Sequence, residues 1–349
     1  MAIFNSGAKA AGLELDTGEA RVVELRGSAR NPVLTAWGRI PLPPGAVEEG
    51  MVVQPDVVAA ALNELWSRAG LGTREVILGV ANQNVLVRFA TFPKVPGNKV
   101  AQMIRYQAQE YLPIPISSVV LDYAVIGETP KETGPLLEVL LVAARREMLD
   151  TFLAVLAAAR LKTRDIDVSS LALLQTLPAA QSTGATVLVD VAGGLSNLLV
   201  TAAGVPRLAR LLPAGLQNLA GALGCTVDGL APPPGPAGAA AEQAEQAKER
   251  LSPEALAGWT ENLADELRSS LNYYQAQPGA AAVDGVVLSG RGARLPGLAT
   301  RLQEYLGVPV DIARPLEGIS VAPRMEPGIT AAAPDFAVCL GLARRGLEG

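Results

Sequence analysis

Apolar positions along the chain fall into runs of strand length, and one arrangement of runs occurs twice. Residues 186–200 form an apolar run ending on Asp190, a turn through Gly193 and Gly194, and a second apolar run that leaves from Ser196. Two such runs joined by residues that accept positive φ predict a β-hairpin. Residues 13–25 repeat the design: an apolar start carrying Glu14 and Asp16, a turn at Thr17 and Gly18, then apolar residues again from Ala20. A third strand is expected after each hairpin, closing on Arg39-Ile40-Pro41-Leu42-Pro43-Pro44-Gly45 in the first case and Arg210-Leu211-Leu212-Pro213-Ala214-Gly215 in the second. Related meanders half a chain apart predict two similar domains facing each other.

Helical and strand periods alternate elsewhere. Residues 54–69 have helical spacing, with Pro55 and Asp56 suited to the first turn and Gly70 and Gly72 to stop it. Residues 75–80 read as a buried strand, and three strands, a helix and a strand begin an α/β domain. In residues 84–92, Val85, Val87 and Phe89 alternate with Leu86, Arg88 and Ala90, which predicts another strand. An amphipathic helix over 99–111 ends before Pro113, and Leu112-Pro113-Ile114-Pro115-Ile116 must be extended because each proline restricts its predecessor. Strands at 119–125 and 136–143 and a helix at 146–159 complete a compact module. Beyond the second meander, helices are predicted at 216–223, 239–250, 255–275 and 298–306, strands at 283–289 and 308–312, and a last helix at 335–343. Residues 231–238 form a proline-glycine loop. The expected division is a first lobe from 1–81 and 162–184, an inserted module at 82–161, and a second lobe at 185–349. Its subdivision spans about 225–275, and the helix over 335–345 is a candidate to return to the first lobe.

Composition narrows the function classes. At 349 residues, 49% apolar and 18% charged, the chain can bury two cores. A net charge of -5 with no clustered basic stretch argues against nucleic-acid binding. The absence of histidine removes Ser-His-Asp and Cys-His catalysis and the usual zinc sites, and Cys225 and Cys339 are too far apart for a CxxC motif. Residues 1–5 lack the charged start and apolar core of a leader, and no run is long enough to span a bilayer, so a cytoplasmic protein is expected.

Candidate chemistry collects at three strand-end turns: Glu14 to Gly18, Asp190 to Ser196, and Ser289 through Gly290 and Arg291 to Gly292. Ligands gather at the carboxyl ends of strands in open α/β sheets, and glycine turns let backbone N–H groups approach a phosphate. Two facing lobes with one such turn each, plus a third for base and ribose, describe a nucleotide cleft. Glu14 and Asp190 are then placed to hold a hydrated Mg²⁺ through water.

The meanders, these turns and Ala244-Glu245-Gln246-Ala247-Lys248 together resemble the actin-like ATPase superfamily of sugar kinases, Hsp70, actin and FtsA. Within it the chain is similar to the PilM family of type IV pilus assembly proteins over nearly its whole length. Gly12-Leu13-Glu14-Leu15, Pro41 to Val47, Glu110-Tyr111-Leu112-Pro113-Ile114-Pro115-Ile116, Leu121-Asp122-Tyr123, Leu141 to Arg145, Leu288-Ser289-Gly290 and Pro334 to Ala343 carry that resemblance. It implies a duplicated, two-lobed actin-like (ribonuclease H-like) fold of the α/β class, with an FtsA-type 1C subdomain at 82–161. It implies ATP and Mg²⁺ at Glu14, Thr17, Gly18, Arg21, Asp190, Gly193, Gly194, Ser196, Ser289, Gly290, Arg291 and Gly292, with Glu245 and Lys248 on the helix that meets ribose and base.

Each turn departs from the family pattern. Asp16 and Ala192 stand where glycine is usual, and a carboxylate beside a phosphate is repulsive unless Arg21 or a metal compensates. Arg291 also replaces a glycine and could either clash with a base or stack on it. No catalytic residue is assigned, and appreciable hydrolysis is not expected. The implied function is an adaptor at the cytoplasmic face of the inner membrane, where it meets other pilus platform proteins. It would bind the N-terminal tail of a PilN-like membrane protein in a groove between subdomains 1A and 1C. ATP would act as a structural or regulatory ligand. Val85, Arg88, Tyr111, Pro113 and Pro115 are the candidate tail contacts. A small-molecule kinase needs a carboxylate base and a sugar pocket that residues 82–161 do not offer. An FtsA-like filament protein wants a C-terminal amphipathic helix, whereas Arg344 to Gly349 is short and polar.

Overall fold

A computed structural model describes residues 8–131, 134–177, 184–232, 251, 253–323 and 325–348. Apolar alternation and two-residue turns produce the first meander, β1 (Ala8–Asp16), β2 (Glu19–Ser28) and β3 (Asn31–Pro41), all antiparallel. A small hairpin, β4 (Val47–Glu48) and β5 (Met51–Val52), leads to α1 (Pro55–Ala69). Pro55 starts that helix where no intrahelical N–H partner is needed, and Gly70 ends it in the left-handed region at φ 63°. Its apolar stripe, Val58, Leu62, Leu65 and Trp66, is buried in the core. β6 (Glu75–Val80) then joins β1 in parallel.

A module of three antiparallel strands follows: β7 (Val85–Pro93), α2 (Gly97–Gln107), β8 (Val119–Thr129), β9 (Leu136–Arg145) and α3 (Arg146–Ala158), with β9 between β7 and β8. The chain returns through β10 (Lys162–Val168), parallel to β6 at the edge of the large sheet, and α4 (Ser169–Ala172). The second meander is β11 (Ala185–Val191), β12 (Ser196–Ala202) and β13 (Val205–Leu212), followed by α5 (Leu216–Ala222), α6 (Val227–Leu230) and the long α7 (Pro253–Gln275). β14 (Val283–Ser289), α8 (Leu298–Leu306), β15 (Val310–Ile312), β16 (Ser320–Val321), α9 (Glu326–Ala332) and α10 (Ala337–Arg345) finish the chain.

The two large sheets share one plan. Their orders are β10-β6-β1-β2-β3-β16 and β15-β14-β11-β12-β13, each an antiparallel meander extended by parallel strands. Registers correspond as well: Glu14 pairs with Arg21 and Gly79 as Asp190 pairs with Asn197 and Ser289. The repeat legible in the sequence is therefore a repeat of topology and of position.

Each large sheet has its own apolar core, and a third surrounds Phe92, Ile104 and Leu141 between α2 and one face of the small sheet. The wholly apolar face of α10, including Val338, Leu340 and Leu342, is buried against β1 and β2 of the first sheet. Gly12 permits this approach, since a Cβ there would lie 2.1 Å from the Cys339 carbonyl oxygen. Gly12→Ala is expected to lower stability by about 1–3 kcal/mol through overpacking, measured by urea unfolding. An unchanged midpoint would show that α10 is free to shift.

Candidate functional site

The two hairpin turns meet directly. At the end of β1, the Asp16 carboxylate accepts hydrogen bonds from the Gly193 amide at 2.7 Å and the Gly194 amide at 3.2 Å, besides the Thr17 amide at 2.7 Å. Gly193 and Gly194 have no room for side chains, because a Cβ would lie 2.6 Å from the Thr17 carbonyl oxygen or 2.2 Å from Thr17 Oγ1. The glycine pair thus admits the opposite turn of the same chain. Gly18, at φ 90°, closes the first turn in a conformation that favours glycine. Ser196 Oγ donates to the Ala214 carbonyl, and Ser289 Oγ donates to Asp190 Oδ1 at 2.8 Å.

A buried charge cluster lies behind the turns. Arg21, 1% exposed, reaches Glu14 at 3.0 Å, Glu19 at 3.3 Å and Asp16 at 3.5 Å. Arg39 pairs with Glu19 and Asp228 at 2.9 Å each. Burial pushes the Glu14 carboxyl up to about 8, with Arg21 pulling the other way and Asp190 adding to the rise. Burial likewise raises Asp190 to about 6 against the pull of Arg21, and it raises Asp16. Glu19 is the exception. Burial opposes its ionisation, but Arg21, Arg291 and Arg39 outweigh that and hold it below the usual range.

Stability should therefore depend on pH in a defined direction. Between the ordinary Glu value of 4.5 and about 8, the folded state keeps a proton on Glu14 that the unfolded chain releases. The folded state then binds more protons, so stability falls as pH rises through that window, by at most about 1.4 kcal/mol per pH unit for one proton. Glu19 and Asp228, both held low, contribute the opposite limb, lost as pH falls into the acid range. The melting temperature is expected to peak at mildly acidic pH, and Glu14→Gln is expected to flatten the decline towards pH 8.5. An unchanged slope in that variant would remove Glu14 as its source.

The third turn is occupied from within. Arg291 is 4% exposed; its guanidinium donates to Asp228 Oδ1 at 2.6 Å and to the Ala231 carbonyl, and lies 3.5 Å from Glu19. The amide of Gly290 is bound by the Pro334 carbonyl at 2.8 Å, and Gly292 packs on Val191. Asp16, Glu19, Arg39 and Asp228 thus complete a seam that includes Arg21 and Arg291, yet the sequence reading assigned them no ligand role. Glu245 and Lys248 lie outside the described residues.

In this arrangement the turns do not fit a nucleotide's phosphates. The Thr17, Gly193 and Gly194 amides are already bound by Asp16 and the Gly290 amide by Pro334, and Arg21 and Arg291 are committed to carboxylates. The cavity between Glu14, Asp16, Ser169 and Asn197 measures about 20 Å³, room for a single water. An open cleft of about 590 Å³ begins beyond Thr17 and Gly194, but Glu48, Glu49, Gln83, Asn84, Gln217 and Asn218 line it, with no lysine or arginine among the described residues. Among the described residues no group of three or more acidic or cysteine side chains is arranged to hold a metal ion.

A different concavity separates the small sheet from the first lobe. The period-2 alternation places Val85, Val87 and Phe89 of β7 on one face with Leu140, Val142 and Ala144 of β9 and Val120 and Ala124 of β8. Val85, Val120, Ala124, Leu140, Val142 and Ala144 of that face and the residues Ile166, Val168, Leu171 and Leu174 enclose a groove of about 710 Å³. The groove runs between two sheet edges, β8 on one side and β10 on the other. Both edges carry aspartates that bind the next backbone amide: Asp122 accepts from Tyr123, Asp165 from Ile166 and Asp167 from Val168, each at 2.8 Å. Arg345 pairs with Asp167 at 2.6 Å at the groove wall.

Of the candidate tail contacts, Val85 lines this groove. Arg88 points to the opposite face of the sheet and is exposed. Tyr111 packs on Phe92 in a tilted arrangement with ring centroids 5.4 Å apart and donates to the Thr91 carbonyl, and Pro113 and Pro115 are exposed. Sequence reasoning passed over the groove's acidic edge residues, whose only local signal is an aspartate one position before each amide it binds.

The family model described as type IV pilus assembly protein PilM matches residues 12–347. A solved structure described as the PilM-PilN type IV pilus biogenesis complex is 30% identical, covering 97% of this chain and 99% of that one at a TM-score of 0.81. The ethanolamine utilization protein EutJ from Carboxydothermus hydrogenoformans matches 98% of this chain and 90% of its own at 15% identity and a TM-score of 0.54, a likeness of fold alone. The architecture is the actin-like, two-lobed one. No helix among the described residues is long and apolar enough to cross a membrane.

Proposed function

The chain belongs to the family of type IV pilus assembly protein PilM, and on that premise we propose that it is an adaptor holding the N-terminal tail of a PilN-like membrane protein. The groove between β8 and β10 carries this reading: it is mostly apolar and bounded by two strand edges. An extended peptide can bury alternate side chains there while its backbone replaces the aspartate caps on the edge amides. Asp122 and Asp165 are exposed and give the rim an acidic character, which favours a cationic residue at the end of the tail. Residues 82–161 act as the tail-binding subdomain and residues 185–349 as the second lobe. The partner brings the adaptor to the cytoplasmic face of the inner membrane.

Nucleotide is not required for this function. The groove lies apart from the turns, whose Gly193 and Gly194 amides are already held by Asp16. The test is fluorescence polarisation with a labelled synthetic PilN-type tail in nucleotide-free buffer. Saturable binding is expected, and a flat titration removes the adaptor assignment.

A further inference from the structure

We propose that Asp16 is a built-in anion that fills the phosphate position of the Gly193–Gly194 turn and so determines that the wild-type cleft does not take up nucleotide. Backbone amides at a glycine turn form an anion-binding concavity, and its occupant here is a carboxylate 177 residues distant in sequence. The seating is specific. Both carboxylate oxygens are used on the opposite lobe, Oδ2 on Gly193 and Oδ1 on Gly194, and Arg21 lies 3.5 Å from Oδ2 as a counter-ion. Asp16 is 7% exposed, so solvent does not compete for it. A second observation agrees: among the described residues, the open cleft beyond Thr17 and Gly194 offers Glu48 and Glu49 and no cation to an incoming phosphate.

Asp16 accordingly acts in two ways at one position. It satisfies two amides that are otherwise orphaned in a closed seam, and it repels any phosphate that approaches them. Arg291 completes the exclusion, because its side chain spans Glu19, Asp228 and the Ala231 carbonyl across the third turn. In this chain the actin-like cleft is a structural seam between lobes, and at the Gly193–Gly194 turn the Asp16 side chain distinguishes it from an anion site.

The experiment compares wild type, Asp16→Gly and Asp16→Asn with ATP·Mg²⁺ and, separately, inorganic pyrophosphate as probes. Affinity is read by calorimetry, and protection of residues 191–196 by hydrogen exchange. Wild type is expected to show no ATP-dependent protection, whereas Asp16→Gly gains at least about tenfold in affinity and new protection at the turn, because two charge-assisted donors are released and a like charge is removed. Asp16→Asn keeps the shape without the charge and is expected to fall between them; it carries the test if the glycine variant does not fold. Wild-type binding as tight as that of the variants overturns the proposal, and so does failure of every folded variant to gain affinity. PilN-type tail binding, measured alongside, is expected to be equal in all three proteins, so its loss would count against the adaptor reading alone.

Discussion

Ala124→Arg is expected to weaken binding of the PilN-type tail by at least about a hundredfold, because its long side chain fills the groove that the peptide must occupy and competes for the acidic rim at Asp122 and Asp165. Ala124 is exposed, sits on the edge strand β8 and lines the groove with Val142 and Ile166. Its replacement removes no core contact, so folding stability should stay within about 0.5 kcal/mol of wild type. The matched control is Arg88→Ala, on the opposite face of the same sheet, which should bind the tail as wild type does. Equal binding by Ala124→Arg and wild type would place the tail elsewhere. Loss in both variants would point to a disturbed module rather than a blocked groove.

Arg21→Met is expected to carry the largest stability cost, about 3–5 kcal/mol in urea unfolding at neutral pH, because it takes the counter-ion from the buried Asp16 and Glu19 carboxylates and the hydrogen-bonding partner from protonated Glu14. Arg21 touches Glu14, Asp16 and Glu19 while almost wholly buried, so water cannot replace it. The deficit should shrink as pH falls and those carboxylates take up protons. Arg39→Met, a change at a guanidinium 17% exposed that leaves Glu19 paired with Arg21 and Arg291, should cost less than Arg21→Met. If Arg21→Met proved as mild as Arg39→Met, the charge cluster would not hold the two turns together.

Much of the fold was legible because its signals are local. Glycine turns after apolar runs marked both hairpins, and Val85, Val87 and Phe89 gave the face of β7 through simple alternation. β10 escaped because Lys162-Thr163-Arg164-Asp165-Ile166-Asp167-Val168 has the polar character of an edge strand, and its place comes from pairing with β6 far away in sequence. The small strands β5 and β16 are too short to show any period.

The site was harder to read for a physical reason. Asp16 stood out as a misplaced carboxylate, but its partners are amides of the other lobe, and only tertiary structure brings Gly193 within 2.7 Å. Arg291 was open to two readings at the base position, and the structure adds a third: an ion pair with Asp228 and Glu19 within the seam. Tyr111, Pro113 and Pro115 drew attention as a motif, yet Tyr111 packs around Phe92 on the far side of the sheet, and both prolines are exposed and do not line the groove. The groove belongs to neither element alone. It exists because the topology leaves β8 and β10 as facing edges.

Hydrogen exchange of the full chain with and without the PilN-type tail tests the docking geometry most directly. Slowed exchange confined to residues 119–126 and 162–168, with the 191–196 turn unchanged, is the expected footprint. Protection at the interlobe turns or along α2, with both strand edges exchanging as in the free protein, would contradict it.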